Sequence, residues 1–414
     1  MIRHCLIVTH LDLSDLASKT QGTYRRLCML VQAAREAGLH IRLFCTTAST
    51  TPTQRRPELE AAIAADLRVC WQVEAEVIVS IDSPPSSRAW LLQQLQRVVD
   101  YGASPLLRSS YGAMAQALLR EELQRQPTVI IAHRLSAMYA LGQLSQALPP
   151  VMLDLDDVEH VMAKETALRS SSARNRLLGL LAIPALIAAE RRALNMAALS
   201  FVCSEVDVGR LRPLGGRVDV LPNTIDMPAA NTAVAASSIL LMVGVYSYGP
   251  NADGADFFID EILPLLRREC PAVQVHFAGR SPESLRAYAT PPEGVHFLGF
   301  VPELAPHYGA ARAVICPIRF GSGTRVKLVE AAAWGKPIVS TAIGAEGLGM
   351  TDGVDVLLAD SPGQFAAACA RLLRDDALCQ RLAAAARAHA ENKFDQRNVT
   401  RKLAERLTAL CANQ

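Results

Sequence analysis

Short apolar runs alternate with longer amphipathic stretches along the chain, and this alternation predicts strands and helices in turn. Arg3–Thr9 is a β-rich apolar run, and Thr23–Ala37 has apolar residues at helical spacing with a stop at Gly38. Leu39–Cys45 is the next apolar run. A strand, helix and strand in this order imply a parallel pair joined by a right-handed crossover.

The same alternation continues to the C-terminus and predicts two α/β domains, each wound around a parallel sheet. Long helices are predicted at Trp90–Val99 and Met114–Gln124. The other strands predicted in the first half are Val77–Ile81, Thr128–Ala132, Val151–Leu155, Leu199–Cys203 and Val218–Leu221. Those in the second half are Ile239–Val243, Val273–Ala278, Val295–Leu298, Ala313–Pro317, Pro337–Ser340 and Val354–Leu358.

A small, polar segment with little periodicity separates the two halves. We predict an N-terminal Rossmann-like domain at 1–226, a linker at 227–238 and a C-terminal Rossmann-like domain at 239–390. A last helix at 391–414 is predicted to pack back on the first domain. Paired domains of this kind bind ligands at the carboxyl ends of their strands, in the cleft across which they face each other.

Composition narrows the range of partners. Half of the 414 residues are apolar, and 42 basic residues nearly balance 40 acidic ones, for a formal charge of +2. We therefore expect a large core and no nucleic acid as partner, with any anion bound locally. The ten cysteines are scattered without a Cys-x-x-Cys pair, which favours a reduced, cytoplasmic protein without a metal site.

The longest apolar stretch, Leu177–Ala189, admits two interpretations. It contains Pro184 and is shorter than the ~20 residues that cross a bilayer. The favoured interpretation is a buried helix of the first domain. The alternative is a surface for peripheral membrane association, at the inner face of the membrane, because basic residues flank the stretch: Arg174, Arg176, Arg191 and Arg192.

The segment 313–341 combines a strand, a glycine-bearing loop, a helix and a second strand. Gly321 and Gly323 flank Ser322, so the backbone there can approach a ligand closely. Thr324 is predicted to cap the following helix. Backbone N–H groups of such a loop and the helix dipole together suit a phosphate.

Three charged residues follow this loop. Arg325 and Lys327 add positive charge, and Glu330 lies on the same side of the helix as Lys327, three positions later. A carboxylate beside a phosphate site is suited to accepting hydrogen bonds from the two vicinal hydroxyls of a ribose. The alternative is a surface ion pair between Lys327 and Glu330 worth about 0.5 kcal/mol, and spacing alone does not decide between them.

The run Gly321–Ala331, together with Gly335-Lys336-Pro337, resembles the donor-binding motif of family-4 glycosyltransferases, which have the GT-B fold. It is most similar to a branch found in bacterial surface-polysaccharide assembly. Gly244–Asn251, Phe277–Arg280 and Gly294–Pro302 resemble the ligand-facing loops of the same domain. The resemblance implies retaining, metal-independent transfer of a sugar, without a cofactor. The donor would be a nucleotide-diphosphate sugar bound by the C-terminal domain, and the N-terminal domain would bind a glycan, lipid-linked or small-molecule acceptor.

The resemblance also implies a role for each candidate residue. Lys327 and Arg280 would offset charge on the leaving diphosphate, and Glu330 would hold the ribose. His133 directly follows the predicted strand Thr128–Ala132, and this position at a strand's carboxyl end indicates a place near the sugar or acceptor, with a polar strand terminus as the alternative. The remaining donor contacts would be Ser322, Gly323, Thr324, Arg325, Asn251 and Gly22, and the acceptor contacts Asp156, Asp157 and His160.

Two departures from the family pattern bear on the donor. Ser322 stands where the family has its first glutamate, and residues 245–252 lack the Arg and Lys of the broader family. Phosphate charge would then fall to Arg280, Arg325 and Lys327.

Several alternatives stay open at this point. A Rossmann dehydrogenase is disfavoured, because no glycine lies between Thr9 and Gly22. A nucleotide-sugar epimerase, a GT-B phosphorylase and a non-catalytic partner in polysaccharide assembly remain. The acidic trio Asp154, Asp156 and Asp157 has the alternative of being solvated loop carboxylates.

Overall fold

A computed structural model describes residues 3–10, 22–48, 75–82, 113–144, 146–170, 172–229, 235–321 and 323–412, with isolated positions between 58 and 68. The predicted helix Trp90–Val99 lies outside the described residues. The chain forms two compact units, one of Met1–Pro222 with Arg397–Gln414 and one of Asn223–Gln396.

A parallel seven-stranded sheet forms the centre of the first unit. Its strands are β1 (His4–His10), β2 (His40–Ala48), β3 (Ala75–Asp82), β4 (Val129–His133), β5 (Val151–Asp154), β6 (Leu199–Val202) and β7 (Val218–Val220). Their order is β3-β2-β1-β4-β5-β6-β7. The order reverses between β1 and β4, and a doubly wound sheet offers its ligand crevice at the carboxyl ends of such a pair.

In the described part of the first half of the chain, six helices flank this sheet. They are α1 (Gly22–Glu36), α2 (Ala113–Gln124), α3 (Leu135–Gly142), α4 (Glu159–Arg169), α5 (Ala173–Met196) and α6 (Glu205–Leu211). Buried apolar residues of strands and helices form one core cluster on each face of the sheet. The predicted strand–helix alternation is thus confirmed in the part of the first unit that the structure describes.

The interpretation of Leu177–Ala189 as a buried helix is wrong for its first half. The stretch lies in α5, where Ala185, Leu186 and Ala189 are buried, but Leu177 is 58% exposed and Leu181 48% exposed. Before Ala185 the helix packs on α4 through small residues. A Cβ placed on Gly179 would come 2.6 Å from the Cβ of Ala167.

The second unit has a parallel six-stranded sheet. Its strands are β8 (Ile239–Val243), β9 (Gln274–Ala278), β10 (Val295–Gly299), β11 (Ala313–Cys316), β12 (Ile338–Ser340) and β13 (Leu357–Leu358), in the order β10-β9-β8-β11-β12-β13. The reversal lies between β8 and β11. The predicted strand Val354–Leu358 is too long, because the amide of Val354 closes a turn onto the carbonyl of Thr351.

Seven further helices lie within the described residues from 235 onward. They are α7 (Gly249–Phe257), α8 (Leu263–Glu269), α9 (Ala305–Ala310), α10 (Val326–Ala333), α11 (Pro362–Arg374), α12 (Asp376–Phe394) and α13 (Gln396–Ala412). One π-helical turn, Phe258–Ile262, joins α7 to α8.

The break near Phe394–Asp395 that the sequence predicts is confirmed. Backbone bonds to Ile225 hold it, with the Ile225 amide donating to the Phe394 carbonyl and the Gln396 amide donating to the Ile225 carbonyl, both at 3.0 Å. After this break α13 adds Leu403 and Leu407 to a core cluster of the first unit.

Candidate functional site

Glycines bring three loops together at the carboxyl edge of the second sheet. Gly279, which follows β9, has φ of +142°, and a Cβ there would lie 1.7 Å from the carbonyl oxygen of Gly244, which follows β8. Gly321, in the loop after β11, has φ of +106°, and its Cβ would lie 3.0 Å from Cγ of Pro250. The backbone of Gly279 therefore contacts that of Gly244, and Gly321 contacts the ring of Pro250, with φ values at both positions that favour glycine.

Lys327, in the first turn of α10, reaches the loop between β8 and α7. Its Nζ donates to Oδ1 of Asn251 at 2.5 Å, and Nδ2 of Asn251 donates to the carbonyl of Val245 at 2.8 Å. A Cβ on Gly244 would lie 3.2 Å from Nζ. An ammonium carried by the helix is thus held against a loop whose own residues 245–252 include no base.

Burial, together with the nearby charge of Arg325, lowers the pKa of Lys327 to about 8, against the opposing effects of Cys316 and Glu330. A side chain with this pKa is still mostly protonated at neutral pH. An anion bound beside it would favour the charged form and raise the pKa.

Glu330 lies one turn further along α10 and is half-buried. Its Oε2 accepts from the hydroxyl of Tyr308 at 3.4 Å. Tyr308 is buried and stacks on Trp334, with ring centroids 5.9 Å apart and planes inclined by 13°. The carboxylate therefore has a fixed neighbour on one side, which limits the orientations it adopts.

The loop before α10 is held by Arg325. The Arg325 guanidinium donates to the carbonyl of Gly323 at 2.6 Å and to that of Gly321. The prediction that Thr324 caps α10 is wrong, because the helix begins at Val326 and Arg325 occupies the cap position. The Thr324 hydroxyl accepts instead from Nδ2 of Asn223 at 2.9 Å. Ser322 lies outside the described residues.

Arg280 lies beside the same loops. It follows β9 and Gly279, is exposed, and its carbonyl accepts from the amide of Tyr246 at 2.9 Å. Its guanidinium carbon lies 4.9 Å from the ring centroid of Phe300, which is itself 54% exposed. A cation stacked on an aromatic ring presents a flat face to solvent while keeping its charge.

His133 ends β4 at the crevice of the first sheet. It is completely buried, and its Nδ1 lies 2.8 Å from the hydroxyl oxygen of Thr9, at the neighbouring end of β1. Its Nε2 has no hydrogen-bond partner among the residues that the structure describes. Burial, with Arg134 and Arg26 nearby, lowers the pKa of His133 to about 3 against a partial counteraction by Asp156. The imidazole is therefore neutral at physiological pH.

Asp154, the last residue of β5, and Asp156 are not solvated loop carboxylates, as the alternative interpretation had them. Asp154 is fully buried and receives Nε and Nη2 of Arg26 at 2.7 and 2.5 Å. Asp156 is 8% exposed and lies 3.6 Å from Arg26 and 3.5 Å from Arg134. Asp156 and Arg134 have φ of 63° and 74°, a left-handed conformation that costs non-glycine residues energy.

Arg26 was not among the predicted site residues. Its place in the sequence nevertheless indicates that its charge is buried, because Arg26 lies among the apolar residues of α1, one turn before Leu30. A charge in an apolar stripe indicates a buried partner. Gly22, the predicted donor contact, is the first residue of this helix.

Asp157 and His160, the other two predicted acceptor residues, follow Asp156 in the chain. Burial and the neighbouring charge of Asp156 raise the pKa of Asp157 to about 7. His160, in α4, places Nδ1 2.5 Å from Oε2 of Glu190, and its amide donates to Oε1 of the same carboxylate at 3.1 Å. Glu190 is fully buried in α5 and was missed from the sequence.

Across the residues that the structure describes, no group of three or more His, Cys, Asp or Glu side chains is arranged to hold a metal ion.

Residues 237–375 match the family model of glycosyl transferases group 1. The match lies within the second unit. Its Lys327, Glu330, Arg280 and Asn251 all lie within the matched residues. No curated protein sequence matches the chain.

Solved structures resemble the chain over nearly its whole length. Sucrose-phosphate synthase from Thermosynechococcus elongatus superposes with a TM-score of 0.67 at 16% identity, over 99% of this chain and 100% of that one. HepE of Anabaena, in complex with UDP-glucose, gives 0.61 at 16%, over 98% and 99%. The pneumococcal O-GlcNAc transferase GtfA, in complex with UDP and GlcNAc, gives 0.64 at 10%, over 99% and 100%. The expected GT-B fold is confirmed.

The buried, neutral state of His133 predicts a pH-dependent stability. Its pKa in the folded protein lies below the ~6.5 of an unfolded histidine, so the unfolded state binds the proton first and stability falls as pH falls from 6.5 toward 3. Between pH 7.5 and pH 5, wild type should lose about 2 kcal/mol more of its free energy of unfolding than His133→Gln. Urea titrations of both proteins measure this, and parallel pH curves would contradict the assignment.

The contact between Lys327 and Asn251 predicts an alkaline limit for any catalysis that depends on this ammonium. In wild type, kcat/KM should fall above about pH 8, as the ammonium loses its proton. Asn251→Asp places a carboxylate beside Nζ and should move this limit upward by about one pH unit, while KM for an anionic substrate rises. Gln380→Glu, which adds the same charge on the exposed side of α12, is the control and should leave both unchanged. An unmoved limit in Asn251→Asp would refute the contact.

Proposed function

We propose that this chain transfers a sugar from a nucleotide-diphosphate sugar to a glycan, lipid-linked or small-molecule acceptor, with retention of anomeric configuration and without a metal ion. The observation that supports this most is the ammonium of Lys327, held by Asn251 against glycine-lined loops, with the Glu330 carboxylate one turn away. That arrangement lies in the domain that matches glycosyl transferases group 1.

The donor is proposed to bind at the carboxyl edge of the second sheet. Its diphosphate lies against the loops of Gly244 and Gly323, where no Cβ keeps it from the backbone N–H groups. Lys327 and Arg280 neutralise part of its negative charge. The ribose hydroxyls donate to Glu330. Arg325 contributes by holding the loop, since its guanidinium donates to the loop's own carbonyls.

Charge on the diphosphate increases as the bond between the anomeric carbon and the phosphate oxygen breaks. An ammonium fixed in advance stabilises that charge more than the ground state, because no reorganisation is needed at the moment of reaction. Lys327 meets this requirement through its bond to Asn251.

The carboxyl edge of the first sheet is proposed to contact the acceptor. His133 offers a neutral imidazole whose Nε2 has no partner within the described part of the chain. Asp157 and the His160–Glu190 pair supply polar groups near the same strand ends. A neutral histidine suits hydrogen bonding to sugar hydroxyls better than proton donation at pH 7.

A donor screen tests the proposal. The protein is incubated with UDP-, GDP- and dTDP-sugars and an acceptor mixture, and nucleoside diphosphate and glycosylated product are measured by mass spectrometry. We expect release from one donor class, equal rates with and without EDTA, and a much lower rate for Lys327→Ala. An epimerised nucleotide sugar without diphosphate release would indicate an epimerase, and no turnover with no nucleotide binding would reject a transferase.

The ribose contact predicts a specific loss of binding. Glu330→Ala should weaken binding of the nucleoside diphosphate by about 2 kcal/mol, because hydrogen bonds to a charged group are lost. A 2′,3′-dideoxy nucleoside diphosphate should bind wild type and Glu330→Ala almost equally, because it lacks the hydroxyls.

Calorimetry of both proteins with both nucleotides gives the coupling free energy directly. Tyr308→Phe is the control, since it keeps the carboxylate and removes only its neighbour's hydroxyl. Additive losses in the four measurements would show that Glu330 does not bind the ribose.

A further inference from the structure

An apolar stripe on α5 faces solvent. Leu177, Leu180 and Leu181 are 58%, 36% and 48% exposed, and their spacing of three and four residues places them on one face of the helix. Pro184, one turn further, is also exposed and continues the same face. Large apolar side chains gathered in this way differ from the single exposed leucines of ordinary surfaces.

Neighbouring α4 does not cover this stripe. The two helices approach through Ala167 and Gly179, and Gly179 lies on the opposite side of α5 from Leu177 and Leu181. We call the surface formed by Leu177, Leu180 and Leu181 the hairpin surface.

Exposed basic side chains lie close to the hairpin surface along the chain. Arg174 precedes Leu177 by one turn, and the others are Lys164, Arg169 and Arg176. Residues 162–184 contain these four bases and a single acid, Glu165, so the segment carries a charge of +3. Apolar side chains beside an excess of cations match the boundary between headgroups and acyl chains of an anionic bilayer.

We propose that the hairpin surface binds the face of a membrane that contains anionic lipids. The leucines enter the boundary between headgroups and acyl chains, and the basic side chains contact lipid phosphates. A second copy of the chain is a poorer occupant, because two surfaces of charge +3 repel each other. No helix in the described ranges is long and apolar enough to cross a bilayer. The proposed contact is with the membrane surface.

This proposal does not depend on the donor site, since the hairpin surface lies in the first unit and the donor site in the second. An experiment that rejects membrane binding therefore does not reject the proposed transferase function, and the reverse also holds. A protein that binds vesicles but releases no nucleoside diphosphate would reject only the proposed function.

Vesicle sedimentation with the full chain tests the proposal. We expect wild type to pellet with vesicles of phosphatidylcholine and phosphatidylglycerol and to stay in solution with phosphatidylcholine alone. Leu177→Ser/Leu181→Ser should weaken binding about tenfold or more through the lost apolar burial. Arg174→Gln/Arg176→Gln should weaken it about 25-fold, at about fivefold for each base, and raised salt should weaken wild type as well.

Matched controls separate the surface from general polarity and charge. Val354→Ser replaces a side chain that is 53% exposed in the second unit, and Lys402→Gln removes an exposed base from α13. Both should bind vesicles like wild type. Urea unfolding of each variant confirms that it is folded, and the leucine variants exchange exposed apolar groups for polar ones.

Three results would each overturn the proposal. The first is that wild type remains in solution with the anionic vesicles, and the second is that the leucine variants pellet as wild type does. The third is a wild-type dimer in solution that Leu177→Ser/Leu181→Ser dissociates without any vesicle binding, which would assign the surface to a second copy.

Discussion

The hydrogen bond from Lys327 to Asn251 is the contact on which the candidate donor site depends. It places a cation from the helix α10 beside the loop after β8, at the point where the second sheet reverses its strand order. The backbones of Gly244 and Gly279 approach each other there more closely than a side chain on Gly279 would allow. Without Asn251, the ammonium would have no fixed position, and a mobile charge stabilises a leaving group less than a fixed one.

The first unit relies on a buried ion pair in a comparable way. Arg26 joins α1 to the end of β5 through Asp154 and to the chain after β7 through the carbonyl of Leu221. Removing one partner would leave a buried charge uncompensated, which costs about 3–5 kcal/mol. The same arginine helps to keep His133 neutral. One side chain thus stabilises the fold and sets the electrostatics of the strand ends that we propose for the acceptor.

Much of the fold was predictable because buried parallel strands are nearly continuous apolar runs, and the helices between them show helical periodicity. Details that depend on tertiary contacts were not. The pattern around Lys327 and Glu330 placed both on one face of a helix, but nothing in the spacing indicated that Nζ would reach Asn251, 76 positions earlier. Thr324 failed as a cap because the helix starts two residues after it. In α5, hydrophobicity alone did not distinguish Leu177, which is exposed, from Leu186, which is buried.

The charge state of Lys327 tests the account most directly. NMR of the side-chain Nζ or Cε of Lys327, with Lys327→Arg to assign the signal, gives its pKa in the free protein and with UDP, GDP or inorganic pyrophosphate. We predict titration near 8 in the free protein and a pKa at least about one unit higher with a bound diphosphate, because the anion stabilises the ammonium. A lysine that titrates at its ordinary value and does not respond to any of these ligands would contradict the central claim.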